Sequence, residues 1–181
     1  MCPFVQIAAA VPPVCRVVDI GCGRGLLANY LALTGPERIV LGIDNQNQRI
    51  TAAQLTVGER TNIKFRLQDA LTLPREDFNV VVISDMLHHL PFPLQETLLA
   101  SCFARLPSGG MLLLEEVGDR PRWKYFAHFL IDRALNLGHQ QYFRHPRKWM
   151  ESLSRLGFKV SIEPAHRRLP LPDYLFRCIK D

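Results

Sequence analysis

The sequence predicts an α/β domain built on a mostly parallel sheet, with its ligand site at one end of the strands. Three observations carry that prediction. Short apolar runs rich in β-branched residues alternate with helix-like runs along most of the chain, the pattern of βαβ units. The first such run, Arg16–Ile20, stops at Gly21-Cys22-Gly23-Arg24-Gly25, and a helix-like stretch follows at once. Near the C-terminus, the strand-like runs Phe158–Ile162 and Tyr174–Ile179 are joined by a link holding Pro164, Pro170 and Pro172. That link is too short for a parallel crossover, so the two runs are expected to be antiparallel neighbours.

The elements follow in order. Residues 1–15 form a short lead-in, apolar and interrupted by Pro3, Pro12 and Pro13. It lacks the basic leader of a secretory signal and runs directly into the first strand, so we read it as a short helix or irregular segment with an apolar face over the ligand cleft. The first helix spans Gly25–Leu33 and stops at Thr34-Gly35-Pro36. A second strand, Arg38–Ile43, ends at Asp44, and a second helix covers Asn47–Val57 with Gly58 as its stop. The third strand is Ile63–Leu67, followed by Gln68-Asp69 and a connection containing Pro74. Phe78–Ser84 is nearly continuous in apolar residues, as a strand buried on both faces should be. A helix over Phe92–Leu106, a turn at Pro107–Gly110 and a strand at Met111–Glu115 complete the regular alternation.

The rhythm then changes. Residues 118–149 are rich in aromatic and basic side chains, among them Trp123, Tyr125 and Phe126, and Ala127–Leu137 can form a helix. The stretch is too long for a simple crossover. We read it as a substrate-side insertion whose aromatics wall a pocket for an apolar acceptor and whose cations hold an anionic group, a carrier or a membrane surface. The plain alternative is an amphipathic cover helix with a solvated basic face. Pro146–Leu156 is the last helix, closed by Gly157.

Composition bounds the reading. The 181 residues, 48% hydrophobic and 22% charged, suit a single globular domain over 1–181. The net charge of +5 permits an anionic partner without demanding one. Five cysteines, odd in number and without a C-x-x-C pair, indicate neither a zinc site nor a disulfide framework, and a reducing cytoplasm is the expected setting. No Asp, Glu and His spacing marks a metal site. No apolar run reaches the ~18 residues of a membrane-spanning helix.

The glycine turn carries the most chemistry. Glycine has no Cβ, so it adopts positive φ and lets a ligand approach the backbone, while a helix N-terminus offers unpaired N–H groups. The dinucleotide pattern G-x-G-x-x-G is not met, because Leu26 stands where its last glycine would be. An acid about 20 residues past such a turn suits ribose hydroxyls, and Asp44 falls in that register. A solvated helix N-cap is the alternative for Asp44, and a turn-forming role the alternative for Asp69.

Asp19-Ile20-Gly21-Cys22-Gly23-Arg24-Gly25 resembles motif I of the class I S-adenosylmethionine-dependent methyltransferases. Ser84-Asp85-Met86-Leu87-His88-His89-Leu90-Pro91 is similar to the segment after the fourth strand in small-molecule members, including those of ubiquinone and menaquinone biosynthesis. The resemblance covers about Arg16 to Ile162. It implies a doubly wound, Rossmann-like, seven-stranded sheet, mostly parallel with an antiparallel last strand and helices on both faces. It implies S-adenosyl-L-methionine as cofactor, held by Asp19, Gly21, Cys22, Gly23, Gly25, Asp44, Asn45, Asp69, Ala70 and Ser84. Asp44 would take the ribose and Asp69 the adenine amino group. The acceptor would be a small or lipid-like molecule, methylated by in-line transfer, with His88 or His89 as candidate base. Two adjacent histidines cannot both face the cleft, so one of them must serve the loop instead. The aromatic tetrad typical of nucleic-acid and amide N-methylation is absent from Ser84–Leu87, which disfavours a nucleic-acid substrate. The competing readings are a non-catalytic cofactor-binding or partner-binding module and, behind it, an RNA methyltransferase. Glu115 and Glu116, by strand alternation, should face opposite sides, one of them toward the crevice.

Overall fold

The computed structural model describes residues 3–117, 141–165 and 173–181. They form α1 (Phe4–Ala10), β1 (Arg16–Ile20), α2 (Leu26–Thr34), β2 (Ile39–Asp44), α3 (Asn47–Leu55), β3 (Ile63–Leu67), β4 (Val80–Ser84), a single 3-10 turn (Leu87–His89), α4 (Phe92–Arg105), β5 (Met111–Val117), α5 (Pro146–Leu156), β6 (Phe158–Pro164) and β7 (Asp173–Lys180). The seven strands make one sheet in the order β3-β2-β1-β4-β5-β7-β6. Pairings among β1 to β5 are parallel. β7 runs antiparallel to both β5 and β6, which it separates. The expected sheet is therefore present, with only its last strand reversed.

Alternation within each strand fills two cores. Val17, Val40, Phe65, Val82 and Leu113 face α1, α2 and α3. Val18, Ile20, Ile43, Val81, Ile83 and Leu114 face α4 and α5, where Leu98, Leu99, Trp149 and Leu153 meet them. Strand order reverses direction at β1/β4, the switch point at which open α/β sheets bind ligands beyond their carboxyl ends.

Most departures from the expected elements are end effects. β4 begins at Val80 rather than Phe78, and α3 ends at Leu55 rather than Val57. Arg38, expected to open the second strand, instead precedes it and is buried. Its guanidinium donates to the carbonyls of Ala8 (2.9 Å), Val11 (2.7 Å), Pro12 (3.0 Å) and Leu31 (3.3 Å). The lead-in is thus a helix, and Arg38 fastens its C-terminal end to that of α2.

Candidate functional site

The glycine turn is built by β1 reaching across to β2. The Gly21 and Cys22 N–H groups both donate to the Ile43 carbonyl, at 2.8 and 2.9 Å. Gly21, Gly23 and Gly25 all have positive φ. Their surroundings differ. A Cβ on Gly21 would lie 2.5 Å from Met86 Cγ, and one on Gly25 2.4 Å from Phe65 Cζ. A Cβ on Gly23 would meet nothing within 4 Å. Two of the glycines let protein pack against the turn, and the third faces open space.

Asp44, only 5% exposed, ties that turn to α3. Its Oδ2 accepts from Gly23 N at 3.0 Å and its Oδ1 from Gln46 N at 2.8 Å. Arg49 Nη1 stands 3.8 Å from the same Oδ2. A carboxylate oxygen can take more than one donor, so both retain capacity for a ligand hydroxyl. Asp69, exposed at the end of β3, uses Oδ1 to accept from Leu71 N at 2.8 Å, and its carbonyl accepts from Thr72.

Asp19 is 2% exposed, and its Oδ2 has no hydrogen-bond partner among the described residues. Burial pushes its carboxyl up to about 7. The Ala28 N–H, at the start of α2, acts in the opposite direction, and the Asp44 charge adds to the rise.

These groups open onto two adjoining cavities. The larger, about 390 Å³, is lined by the polar Asp44, Asn45 and Asp69 and by Ala70, Met86 and His89, among others. The smaller, about 190 Å³, is lined by Phe4, Asp19, Cys22, Arg24, Ser84 and neighbours. Gly21 and Asp85 border both. Gly23 and Gly25 line neither, although Gly23 stands beside Asp44.

The segment after β4 is held from below by the end of β5. Glu116 Oε1 accepts from Met86 N (3.1 Å) and Leu87 N (2.5 Å), and its Oε2 from His88 Nδ1 (2.9 Å). Two backbone N–H groups and the His88 ring thus converge on one buried carboxyl. Glu115 points to the opposite face and accepts from Ser84 Oγ at 2.7 Å. Burial, with the Asp85 charge next, holds the Glu115 carboxyl well above the usual carboxylate range. The alternation expected for this pair is present, but both side chains are buried and neither lines either of these two cavities. Glu116, expected from the sequence only as one of two acids ending this strand, is the clamp of the segment after β4.

The two histidines part company as adjacency requires. His88 is 1% exposed and stacks on Phe143, with ring centroids 4.9 Å apart. His89 is exposed and lines the larger cavity. Gln95 steadies the same segment, donating to the carbonyls of Leu87, Leu90 and Tyr142.

Trp123, Tyr125, Phe126 and the Ala127–Leu137 stretch lie outside the described residues. At the described end of the aromatic–basic run, the side chains pack. Arg144 pairs with Glu96 and lies over the rings of Phe92 (5.1 Å) and Trp149 (4.9 Å), and Trp149 is buried. Among the described residues, no group of three or more His, Cys, Asp or Glu is placed to hold a metal, and no helix is long and apolar enough to cross a membrane.

Comparison with known proteins agrees with this geometry. Residues 17–110, just over half of the chain, match the family model described as a methyltransferase domain. The chain is 32% identical over 116 residues to a ubiquinone biosynthesis O-methyltransferase of Pseudomonas fluorescens (strain Pf0-1), covering 62% of this chain and 48% of that protein. A protein of the same name from Psychrobacter cryohalolentis is also 32% identical, over 129 residues, covering 67% of this chain and 48% of the relative. The chain therefore spans about half the length of the curated relatives it matches. Among solved structures, human N-acetylserotonin methyltransferase in complex with SAM shares the fold with a TM-score of 0.78 at 18% identity, over 98% of this chain and 51% of that one. A SAM-dependent methyltransferase from Methanosarcina mazei gives 0.74 at 19% identity, over 97% and 96%.

Proposed function

The chain belongs to the methyltransferase-domain family, and on that premise we propose that it transfers a methyl group from S-adenosylmethionine to a hydroxyl of a small or lipid-like acceptor. The O-methyltransferase names of the curated relatives support that acceptor. The observation that carries the reading is convergence: Gly21, Asp44, Asn45, Asp69 and Ala70, from three separate strand ends, line one cleft. The residues fit the cofactor. The buried, unpartnered Asp19 Oδ2 suits an ammonium group, Asp44 suits ribose hydroxyls, and the open side of Gly23 leaves room against the backbone. The whole of 1–181 serves as one such domain, with 118–149 on the substrate side, acting in a reducing cytoplasm; the free thiols of Cys15, Cys22, Cys102 and Cys178 suit that setting.

S-adenosylmethionine, when bound, supplies a methyl group already made electrophilic by the sulfonium. What remains for the chain is positioning, and holding reactants at near-attack distance can lower a barrier by ~7–11 kcal/mol. Asp44 fixes the turn and the ribose together. Glu116 fixes Met86 and Leu87, and Met86 packs over Gly21. His89, the histidine on the cleft, takes the acceptor's proton, while His88 supports it from the packed side.

Calorimetry with S-adenosylhomocysteine tests the cofactor. Asp44→Ala is expected to weaken binding at least about 100-fold, because it removes the ribose acceptor and also frees the Gly23 N–H. No binding by the parent chain, or equal binding by the variant, would overturn the reading. Transfer of a labelled methyl group to a small phenol separates turnover from mere cofactor binding.

Asp19 adds a pH dependence. Burial holds the carboxyl at about 7, above its value of 3.8 when exposed. Its contribution to stability is thus full below about pH 4 and lost as pH rises through 7. The ammonium needs the ionised form, so S-adenosylhomocysteine should bind about tenfold more tightly at pH 8 than at pH 6. Asp19→Asn should flatten that slope, weaken binding at pH 8 and make the empty protein more stable there, measured by calorimetry and thermal melting. A slope retained in the variant would remove Asp19 as its origin.

A further inference from the structure

Asp85 is the only non-glycine residue with positive φ among the described residues, at +52°. The left-handed region is costly for residues with a Cβ, and such outliers persist only where surrounding structure over-determines them. Here it does. The Asp85 N–H donates to the Glu115 carbonyl at 3.0 Å, and the next two N–H groups are taken by Glu116. Three backbone bonds to the end of β5 therefore force the chain through the strained position. The enforced conformation has a visible result: the Asp85 side chain, 43% exposed, stands where the two cavities meet. Its carboxylate accepts no hydrogen bond among the described residues; His88 Nδ1, 3.8 Å away, is bonded to Glu116 at 2.9 Å.

We propose that Asp85 is the residue that selects and orients the acceptor: its carboxylate receives a hydrogen bond from the hydroxyl to be methylated, and that proton passes on to His89, on the same cavity, as the methyl group arrives. This rests on the methyltransferase reading above. The smaller cavity carries the group suited to an ammonium, and the larger carries those suited to a nucleoside. A ligand spanning both has its centre beside Gly21 and Asp85. An anion that faced the sulfonium would stabilise the ground state, with its full positive charge, more than the transition state, and so would slow transfer. It gains by binding the partner that approaches that centre. A carboxylate only accepts, so the partner must bring a hydrogen on its reacting atom. An unstrained residue at this position would not be driven to the junction.

The test uses the full chain, S-adenosylmethionine and a panel of simple phenols and catechols, with S-adenosylhomocysteine formation as the kinetic readout. Asp85→Asn should raise KM for an accepted phenol at least tenfold and leave S-adenosylhomocysteine affinity within about twofold of the parent. Asp85→Gly relieves the positive φ, so its thermal midpoint should equal the parent's or exceed it by up to about 4 °C. A purely structural Asp85 would instead lower the midpoint on removal. An unchanged KM overturns the inference, as does a loss of S-adenosylhomocysteine binding comparable to that of Asp19→Asn, which would place the carboxylate on the cofactor. A parent chain that binds S-adenosylhomocysteine and methylates no member of the panel overturns the acceptor reading and this inference with it. Failure of S-adenosylhomocysteine to bind at all fails the cofactor reading instead.

Discussion

Gly25→Val is expected to destabilise the protein by about 3 kcal/mol and to reduce S-adenosylhomocysteine binding at least 100-fold. Two costs add. The residue has φ +78°, and a left-handed conformation costs a β-carbon-bearing residue about 1–2 kcal/mol. The new Cβ would also stand 2.4 Å from Phe65 Cζ and 3.0 Å from Ala53 Cβ, and overpacking of this kind costs about 1–3 kcal/mol. Phe65 cannot easily retreat, because Gly42 is pressed against the same ring from β2, with its own virtual Cβ 2.6 Å from Phe65 Cδ1. Relief therefore comes from moving the turn, and with it the N–H of Gly23 that Asp44 holds. Urea unfolding and calorimetry measure the two effects. Gly23→Ala is the control: nothing lies within 4 Å of its Cβ, so it should lose only about 1–2 kcal/mol of stability from φ while still weakening the ligand. A Gly25→Val chain as stable as Gly23→Ala would show that Phe65 does not constrain the turn.

This contrast marks what the sequence could and could not disclose. The strands were legible because their apolar runs end abruptly at polar residues, and Asp19, Asp44 and Asp69 stand near those ends. The spacing of the glycines was legible too, but not which of them face protein: Gly21 and Gly25 are pressed by Met86, in the segment after β4, and Phe65, on β3, both far along the chain. His88 and His89 looked equivalent in sequence. The difference between them is made by Glu116, 28 residues beyond His88, reaching under the loop. Tyr142, Phe143, Arg144 and Trp149 read as part of a substrate wall because aromatic and basic residues interleave there. What their order does not show is that Arg144 pairs with Glu96, on α4, and lies over the buried ring of Trp149. Each reading that stopped short did so because the deciding partner lay on another element.

Arg38 is the strongest case of such a partner, and Arg38→Met should cost about 3–5 kcal/mol of stability. The guanidinium is buried without a carboxylate beside it among the described residues, so its charge is met only by oxygen dipoles. Those dipoles are the carbonyl ends of α1 and α2, where helix macrodipoles place partial negative charge. Methionine fills similar volume but donates nothing, leaving the buried Ala8 and Val11 carbonyls without their donor, at about 1–3 kcal/mol for each such group before relaxation, while the Leu31 carbonyl keeps the Gly35 N–H. Arg38→Lys keeps the charge but loses the planar fork that reaches two helices at once, so it should recover less than half of the loss. Gly35 belongs to the same arrangement: a Cβ there would sit 2.4 Å from Arg38 Cδ. The consequence extends to the site. Phe4, at the start of α1, lines the smaller cavity, and the Arg38 bonds fasten that helix together with its packing on α2, the buried Ile7 and the Gln6 bond to the Pro164 carbonyl. Denaturant unfolding of Arg38→Met should therefore show the large stability loss, and calorimetry a several-fold weaker S-adenosylhomocysteine with Asp19 and Asp44 untouched. A variant that loses less than about 1 kcal/mol would mean that solvent reaches those carbonyls and that α1 is not fastened by the guanidinium.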